Sequence, residues 1–271
     1  METMNEVKFQ SQSFMQRMKS MLSVDFRRAF TTPLFYLMTG IAFAIPILVL
    51  VMTTAMAGTT TVDPTTGVET TIEGFTSVWQ AIAATSDVGA GMSMDLTSMC
   101  NINMLYFLAA VFVCIFVADD FRSGYAKNLF AVRAKKTEYV FSKTLVGFVG
   151  GACMIVVYFI GTLLGGAIAG LPFDTGTAGA DGIAMCLLSK IFLMAVFVAI
   201  YLLMSVVAKQ RLWLSILGAL GVGMLLFNMA PITSPLDSTI VHVVLCVAGG
   251  ALFAVGFGAI SNLILKKTNL V

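Results

Sequence analysis

An all-α polytopic membrane fold is what this chain predicts: six transmembrane helices with both termini on the cytoplasmic side. Three observations carry that prediction. Hydrophobic residues make up 58% of the 271 and charged residues only 11%, against about 25% charged in a soluble domain. Six apolar runs approach the roughly 20 residues needed to cross a bilayer. Fifteen of the sixteen Lys and Arg fall on one side if those runs alternate, which is the positive-inside pattern of cytoplasmic loops. Composition therefore excludes an ordinary soluble core-and-surface protein. The localisation it implies is the plasma (inner) membrane.

Residues 1–32 read as a cytoplasmic segment carrying an in-plane amphipathic helix. Phe14, Met18, Met21, Leu22, Val24 and Phe26 interleave with Arg17, Lys19, Arg27 and Arg28. Such a helix places its apolar residues in the interface and its basic ones toward anionic headgroups. Thr31, Thr32 and Pro33 end it, and proline suits the first turn of the next helix. Residues 33–271 form the six-helix domain.

The first span covers 34–56. Its "AMAG" end resembles a signal-peptidase site, but the run exceeds the about 7–15 residues of a signal-peptide core. An uncleaved signal anchor is expected. The external loop, 57–100, starts with "TTTVDPTTGVETT" (Thr59–Thr71), whose threonine and valine flank an Asp-Pro-x-x-Gly turn. That pattern predicts a small β-hairpin. From Phe75, apolar residues at Val78, Trp79 and Ile82 take helical spacing. They predict an external amphipathic helix at the outer surface, with Trp79 as interfacial anchor. A lid over a transport path is the sharper reading of the same helix. Met92, Met94, Met99, Cys100 and Met104 offer soft ligands of the kind that select Cu(I), but eighteen methionines spread through the chain make general methionine enrichment the better reading.

Spans two to six cover 101–118, 144–169, 185–208, 212–230 and 240–264. Trp213 is a second interfacial anchor, at the start of the fifth. Three Gly-x-x-x-Gly pairs, Gly147/Gly151, Gly161/Gly165 and Gly166/Gly170, are sites where helix backbones can approach closely. Asn101, Asn103 and Asn228 are the main polar interruptions of the spans and candidates for a transport path. Lys190, the one basic residue outside the cytoplasmic set, lies inside the fourth run. An intramembrane charge marks function by default, yet lysine can snorkel and the span can begin at Ile191. Asp181 is the partner expected for it.

Several chemistries lack their residues. No Walker A loop occurs, so the chain has no nucleotide-binding motif of that kind. No H-E-x-x-H or G-x-S-x-G appears either, and His242 is the one histidine, read as an interfacial side chain. The five cysteines make no CxxC pair and read as packing residues. No metal site, no nucleic-acid partner and no enzymatic activity are expected of this chain. An intramembrane enzyme would need a nucleophile and base paired within a span, and none is evident.

The connection 119–143 is the densest block of charge. Asp119 and Asp120 close the second span, where negative charge opposes the helix dipole. The helix is therefore expected to break there, with one aspartate capping a new one. Phe121, Tyr125, Leu129 and Val132 then recur at i, i+4, i+8 and i+11, with Arg122, Lys127 and Arg133 on other faces. This predicts a short amphipathic cytoplasmic helix from about Asp120 to Val132, a basic segment, and re-entry at Tyr139–Lys143.

That stretch resembles the cytoplasmic loop of ABC-2-type exporter permeases. The family pattern is an acidic residue, a glycine four positions on, a basic residue, a basic segment and a lysine opening the third span. Asp120, Gly124, Lys127, Arg133, Tyr139 and Lys143 match it. Asp stands for the more usual Glu, and Tyr125 stands where Thr is common. The in-plane helix, six spans, short second cytoplasmic loop and C-terminal lysine pair extend the resemblance over the whole chain. The resemblance implies a permease subunit of an ATP-driven exporter. A second permease copy or a related permease would complete the path within the lipid bilayer. A separate ABC ATPase subunit would bind ATP and Mg, so this chain itself needs no cofactor. Residues 120–132 would be the coupling helix. Phe121, Tyr125 and Leu129 would give buried contact to the ATPase, and Asp120, Arg122 and Lys127 orientation. Cargo would be amphipathic or hydrophobic: a peptide, lantibiotic or drug-like molecule. The alternative reading is an ATP-independent channel or secondary transporter.

Overall fold

A computed structural model describes residues 13–62, 69–71, 74–82, 101–131, 135–175, 178–227 and 229–267. The described chain is almost entirely helical. Among the described residues five helices are long and apolar enough to cross a membrane, which makes this a multi-pass helical membrane protein.

Helix α1 (Phe14–Thr31) opens on Ser13, whose backbone N–H donates to Gln16 Oε1 at 3.3 Å. Its buried stripe is Met18, Met21, Asp25 and Ala29. It stops where Thr32 turns extended (ψ 131°) before Pro33, because proline pushes its predecessor out of the helical region. Helix α2 (Pro33–Met56) starts at once, with that proline in its first turn.

The next element is an antiparallel pair, β1 (Thr60–Val62) against β2 (Glu69–Thr71), with Thr60 opposite Thr71. The Asp-Pro-x-x-Gly turn lies outside the described residues. So do Met92, Met94, Met99 and Cys100.

The amphipathic helix expected from Phe75 is corrected. Among the described residues this segment holds one 3₁₀ turn, Val78–Ala81. Val78, Trp79, Ala81 and Ile82 are buried within the protein. Trp79 donates its indole N–H to the Phe173 carbonyl at 3.3 Å and packs between Phe159 and Phe173. It is a core residue and not a lipid-interface anchor, because its ring and its N–H are both satisfied by the protein.

The second span begins with a 3₁₀ turn, Ile102–Met104, and continues as α3 (Leu105–Arg122). The short α4 (Tyr125–Ala131) follows, then α5 (Lys136–Ala169), which at 34 residues is the longest helix among the described residues. Helix α6 (Gly179–Ala208) returns. The fifth apolar run is a 16-residue helix, α7 (Leu212–Phe227), followed by the short α8 (Met229–Thr233). At 1.5 Å per residue α7 spans about 24 Å, short of a hydrocarbon core about 30 Å thick. Helix α9 (Ile240–Lys267) closes the described chain. Its first turn is capped by His242, whose Nδ1 accepts from the Thr239 backbone N–H at 3.1 Å. Trp213 lies in the first turn of α7 and faces outward, 63% exposed.

Glycines decide which helices touch. A Cβ on Gly161 would lie 2.5 Å from the Phe43 carbonyl oxygen, and one on Gly165 2.8 Å from Ile47 Cα. That pair seats α5 directly on the α2 backbone. A Cβ on Gly147 or Gly151 would strike Val198 or Met194 of α6. The third pair is corrected. Gly166 faces Val78, while Gly170 has nothing within 4 Å. Gly170 instead ends α5 in the left-handed conformation (φ 69°), which glycine adopts without the Cβ penalty.

Candidate functional site at the basic end of the bundle

Four elements converge where α1 crosses the bundle: α1 itself, the last turns of α3, the start of α4 and the second turn of α5. Helical spacing puts two or three cluster residues on one face of each main contributor. α1 supplies Asp25 and Arg28, α3 supplies Phe116 and Asp120, and α5 supplies Tyr139, Ser142 and Lys143.

The four charges alternate. Lys143 Nζ lies 2.9 Å from Asp25 Oδ1 and 2.7 Å from Asp120 Oδ2. Arg28 Nη1 lies 2.7 Å from Asp120 Oδ1 and 3.9 Å from Asp25 Oδ1. Tyr139 donates its hydroxyl to Asp120 at 3.0 Å, and Ser142 donates to Asp25 at 2.7 Å. Two acids and two bases give the ring no net charge. Asp25, Asp120 and Lys143 are fully buried, while the Arg28 side chain keeps 32% exposure. Aromatic faces complete the shell: Phe116 lies 3.9 Å from Lys143 Nζ and Tyr125 lies 4.1 Å from the Arg28 guanidinium. Beside the ring, Arg17 Nε pairs with the buried Glu138 at 3.1 Å.

Titration follows from this geometry. Burial works to lower the Arg28 pKa, but the adjacent Asp120 carboxylate outweighs it and holds the guanidinium above its usual range. Burial, with the Asp25 charge, pushes the Tyr125 phenol up. Both groups keep their ordinary ionisation at neutral pH, so the ring is fully charged on Arg28 and neutral on Tyr125. A buried ion pair is expensive to form and expensive to break. This one has every partner in place.

Several sequence expectations change here. Helix α3 does not break at Asp119 or Asp120. It runs to Arg122, and the chain turns at Ser123 and Gly124 (φ 74°). Neither aspartate caps α4; Asp120 is instead neutralised against the dipole by Arg28 and Lys143. α4 covers seven residues, Tyr125–Ala131, and not Asp120–Val132. Val132 and Arg133 lie outside the described residues. The Phe121–Tyr125–Leu129 stripe faces this chain's own body. Phe121 is buried against Tyr139, Tyr125 covers Arg28, and Leu129 packs on the core. Arg122, Lys127 and Asn128 are the exposed face. Tyr139–Lys143, where re-entry is expected, lies within α5, which is already helical from Lys136.

Asp25 is the residue that sequence reasoning missed. Its signal was present, since Met18, Met21, Asp25 and Ala29 fall at helical spacing on the buried face. An acid on the apolar stripe of a basic helix asks for an internal cation.

A second polar cluster lies elsewhere. Lys190, fully buried in α6, donates to Asn103 Oδ1 at 2.9 Å and to Ser234 Oγ at 3.0 Å. Asp181, the partner expected from sequence, is not bonded to it; at the first turn of α6 it lies nine residues, about 13 Å, along the helix. Among the described residues no carboxylate lies within 4 Å of the ammonium. Tyr106 donates its hydroxyl to the Lys190 carbonyl at 3.2 Å, and Cys186 donates to the Ser234 carbonyl at 3.5 Å. Asn101 supports the site by accepting from the Asn103 backbone N–H at 2.9 Å. Asn228 lies outside the described residues. Lys190 and Asn103 are thus brought together, whereas Trp79 and Trp213 stand apart from both clusters. Among the described residues no group of three His, Cys, Asp or Glu side chains is placed to hold a metal. Comparison with protein-family models, with curated proteins and with solved structures finds no match to this chain.

Proposed function

We propose that this chain is the membrane-spanning permease subunit of an ATP-driven exporter, as its resemblance to ABC-2-type permeases implies. A separate ATPase supplies the nucleotide chemistry, and a second permease copy or a related permease completes the path. The basic end of the bundle is then the cytoplasmic end, and the cargo is amphipathic or hydrophobic.

The observation that supports this reading is the buried ring of Asp25, Arg28, Asp120 and Lys143. A coupled transporter must turn a push on a peripheral element into movement of its spans. The ring fastens α1, α3 and α5 at one point, and α4 extends directly from it. Force applied to α4 or α1 therefore reaches two spans without loss in a loose joint. On this reading the partner-facing residues are the exposed Arg122, Lys127 and Asn128 and not the apolar stripe.

The test places a photo-crosslinking residue at Lys127 in native membranes and identifies the captured protein. An ATPase carrying a Walker A loop is expected. The double variant Arg122→Glu/Lys127→Glu should lose its co-purification and cargo-stimulated ATP hydrolysis. A folded chain that captures no ATPase at Lys127 refutes the assignment.

Lys190 favours a second reading. A buried ammonium whose partners among the described residues are neutral is the kind of intramembrane charge on which ATP-independent transporters depend. Transport that persists in sealed vesicles without nucleotide, and fails in Lys190→Met, would select that reading.

A further inference from the structure

Helices α5, α6 and α9 enclose a groove of about 570 Å³ that opens on the outer face of the bundle. Val140 and Phe148 of α5 and Phe192 of α6 form its walls, and Gly250, Ala254 and Gly258 of α9 its floor. It is apolar along nearly all its length. From Val247 to Asn262 the α9 side measures about 22 Å, and from Thr137 to Phe148 the α5 side about 16 Å. One leaflet of a hydrocarbon core is about 15 Å deep. The groove thus has the length of an acyl chain standing in a single leaflet.

Its chemistry changes at the basic end of the bundle. Thr137 and Asn262 line that end, and the buried Asn262 Oδ1 has no hydrogen-bond partner among the described residues. A buried acceptor without a donor is costly, so a donor arriving with an occupant would be favoured. Just beyond stand Lys136, whose ammonium donates to the Leu265 carbonyl, and the exposed Lys266 and Lys267. The nearest carboxylate on α5, Glu138, is turned away and paired with Arg17. Among the described residues the mouth of the groove is therefore positive charge above an apolar slot.

We infer that this groove is a specific site for one anionic glycerophospholipid bearing headgroup hydroxyls. One acyl chain lies along α9, the phosphate sits among Lys136, Lys266 and Lys267, and a headgroup or glycerol donor reaches Asn262. The inference rests on the chain being membrane-embedded and does not depend on the exporter assignment. A second copy of the chain is the competing occupant, but the basic ends of its spans carry mainly positive charge, which the lysines would repel.

The test uses the full-length chain purified from nanodiscs of mixed phosphatidylglycerol and phosphatidylcholine, with bound lipid counted by native mass spectrometry. One phosphatidylglycerol should survive delipidation. Gly258→Leu has room for its first carbon, since a Cβ there meets Val140 at an ordinary 3.6 Å, and its longer side chain should fill the slot and displace the lipid. Lys266→Gln/Lys267→Gln alters only exposed side chains and should cut the preference for phosphatidylglycerol roughly thirtyfold, at about 1 kcal/mol per lysine near a membrane surface. Equal retention of both lipids, or retention unchanged in both variants, overturns the proposal. So does cross-linking of two copies by Ala254→Cys in native membranes, which would assign the groove to an interface.

Discussion

Replacing Asp120 with Asn keeps the shape of the side chain and removes its charge. Asp120 holds Lys143 and Arg28, each at 2.7 Å. At an effective dielectric constant of about 20, each contact is worth about 6 kcal/mol of gross attraction. Desolvation of the charges takes back most of that, so the net value of the ring is small. The cost of breaking it is not, because two cations are left facing Asp25 alone and the new amide presents donors to donors. Removing one partner of a buried pair costs about 3–5 kcal/mol. That is a large share of the about 5–15 kcal/mol that separates folded from unfolded domains. The assay is reversible unfolding in mixed micelles, with hydrogen exchange on the α1 amides in parallel. Asp120→Asn should unfold about 3–5 kcal/mol earlier, and α1 should exchange faster than α7. Adding Lys143→Met to Asp120→Asn removes a stranded ammonium, so the double variant should lose less than the sum of the singles. A loss under about 1 kcal/mol, the range of a solvent-exposed pair, with α1 protection unchanged, would refute the claim that this ring fastens α1 to the spans.

Two further predictions concern the other buried polar groups. Asn103→Leu strips Lys190 of an acceptor and should destabilise by about 3 kcal/mol or more, whereas Lys190→Met, which removes the buried charge, should be neutral or stabilising in the same unfolding assay. Trp79→Ala should cost about 3–5 kcal/mol as a core truncation; a ring resting in lipid headgroups would cost far less, so a small effect would restore the interfacial reading.

Much of the architecture is written in one-dimensional pattern. Lengths of apolar runs locate the long helices, because hydrocarbon cannot solvate an open backbone and each span must satisfy its own hydrogen bonds. Pro33 marks the α1–α2 boundary for an equally local reason. Gly161 and Gly165 signal a close helix contact, though not that its partner is α2. The cluster at the basic end was only half readable. Asp120, Tyr139 and Lys143 stood out together as a motif, and Asp25 carried a signal in its place on a buried stripe.

What sequence alone determined, then, is the solvent: a chain this apolar, with its charge gathered at alternate connections, must fold as helices in a membrane. The direction in which the side chains at 120–129 point belongs to the tertiary structure. Helical periodicity states that Phe121, Tyr125 and Leu129 share a face, but a stripe can face a partner or its own chain with the same spacing. The choice was made by Arg28 and Lys143, which lie 92 and 23 residues from Asp120 in opposite directions. They turn Asp120 inward, and the stripe follows it. Lys190 shows the same division. Its place inside an apolar run is plain from the sequence, but only the folded bundle brings Asn103 and Ser234, residues from two other segments, to its ammonium.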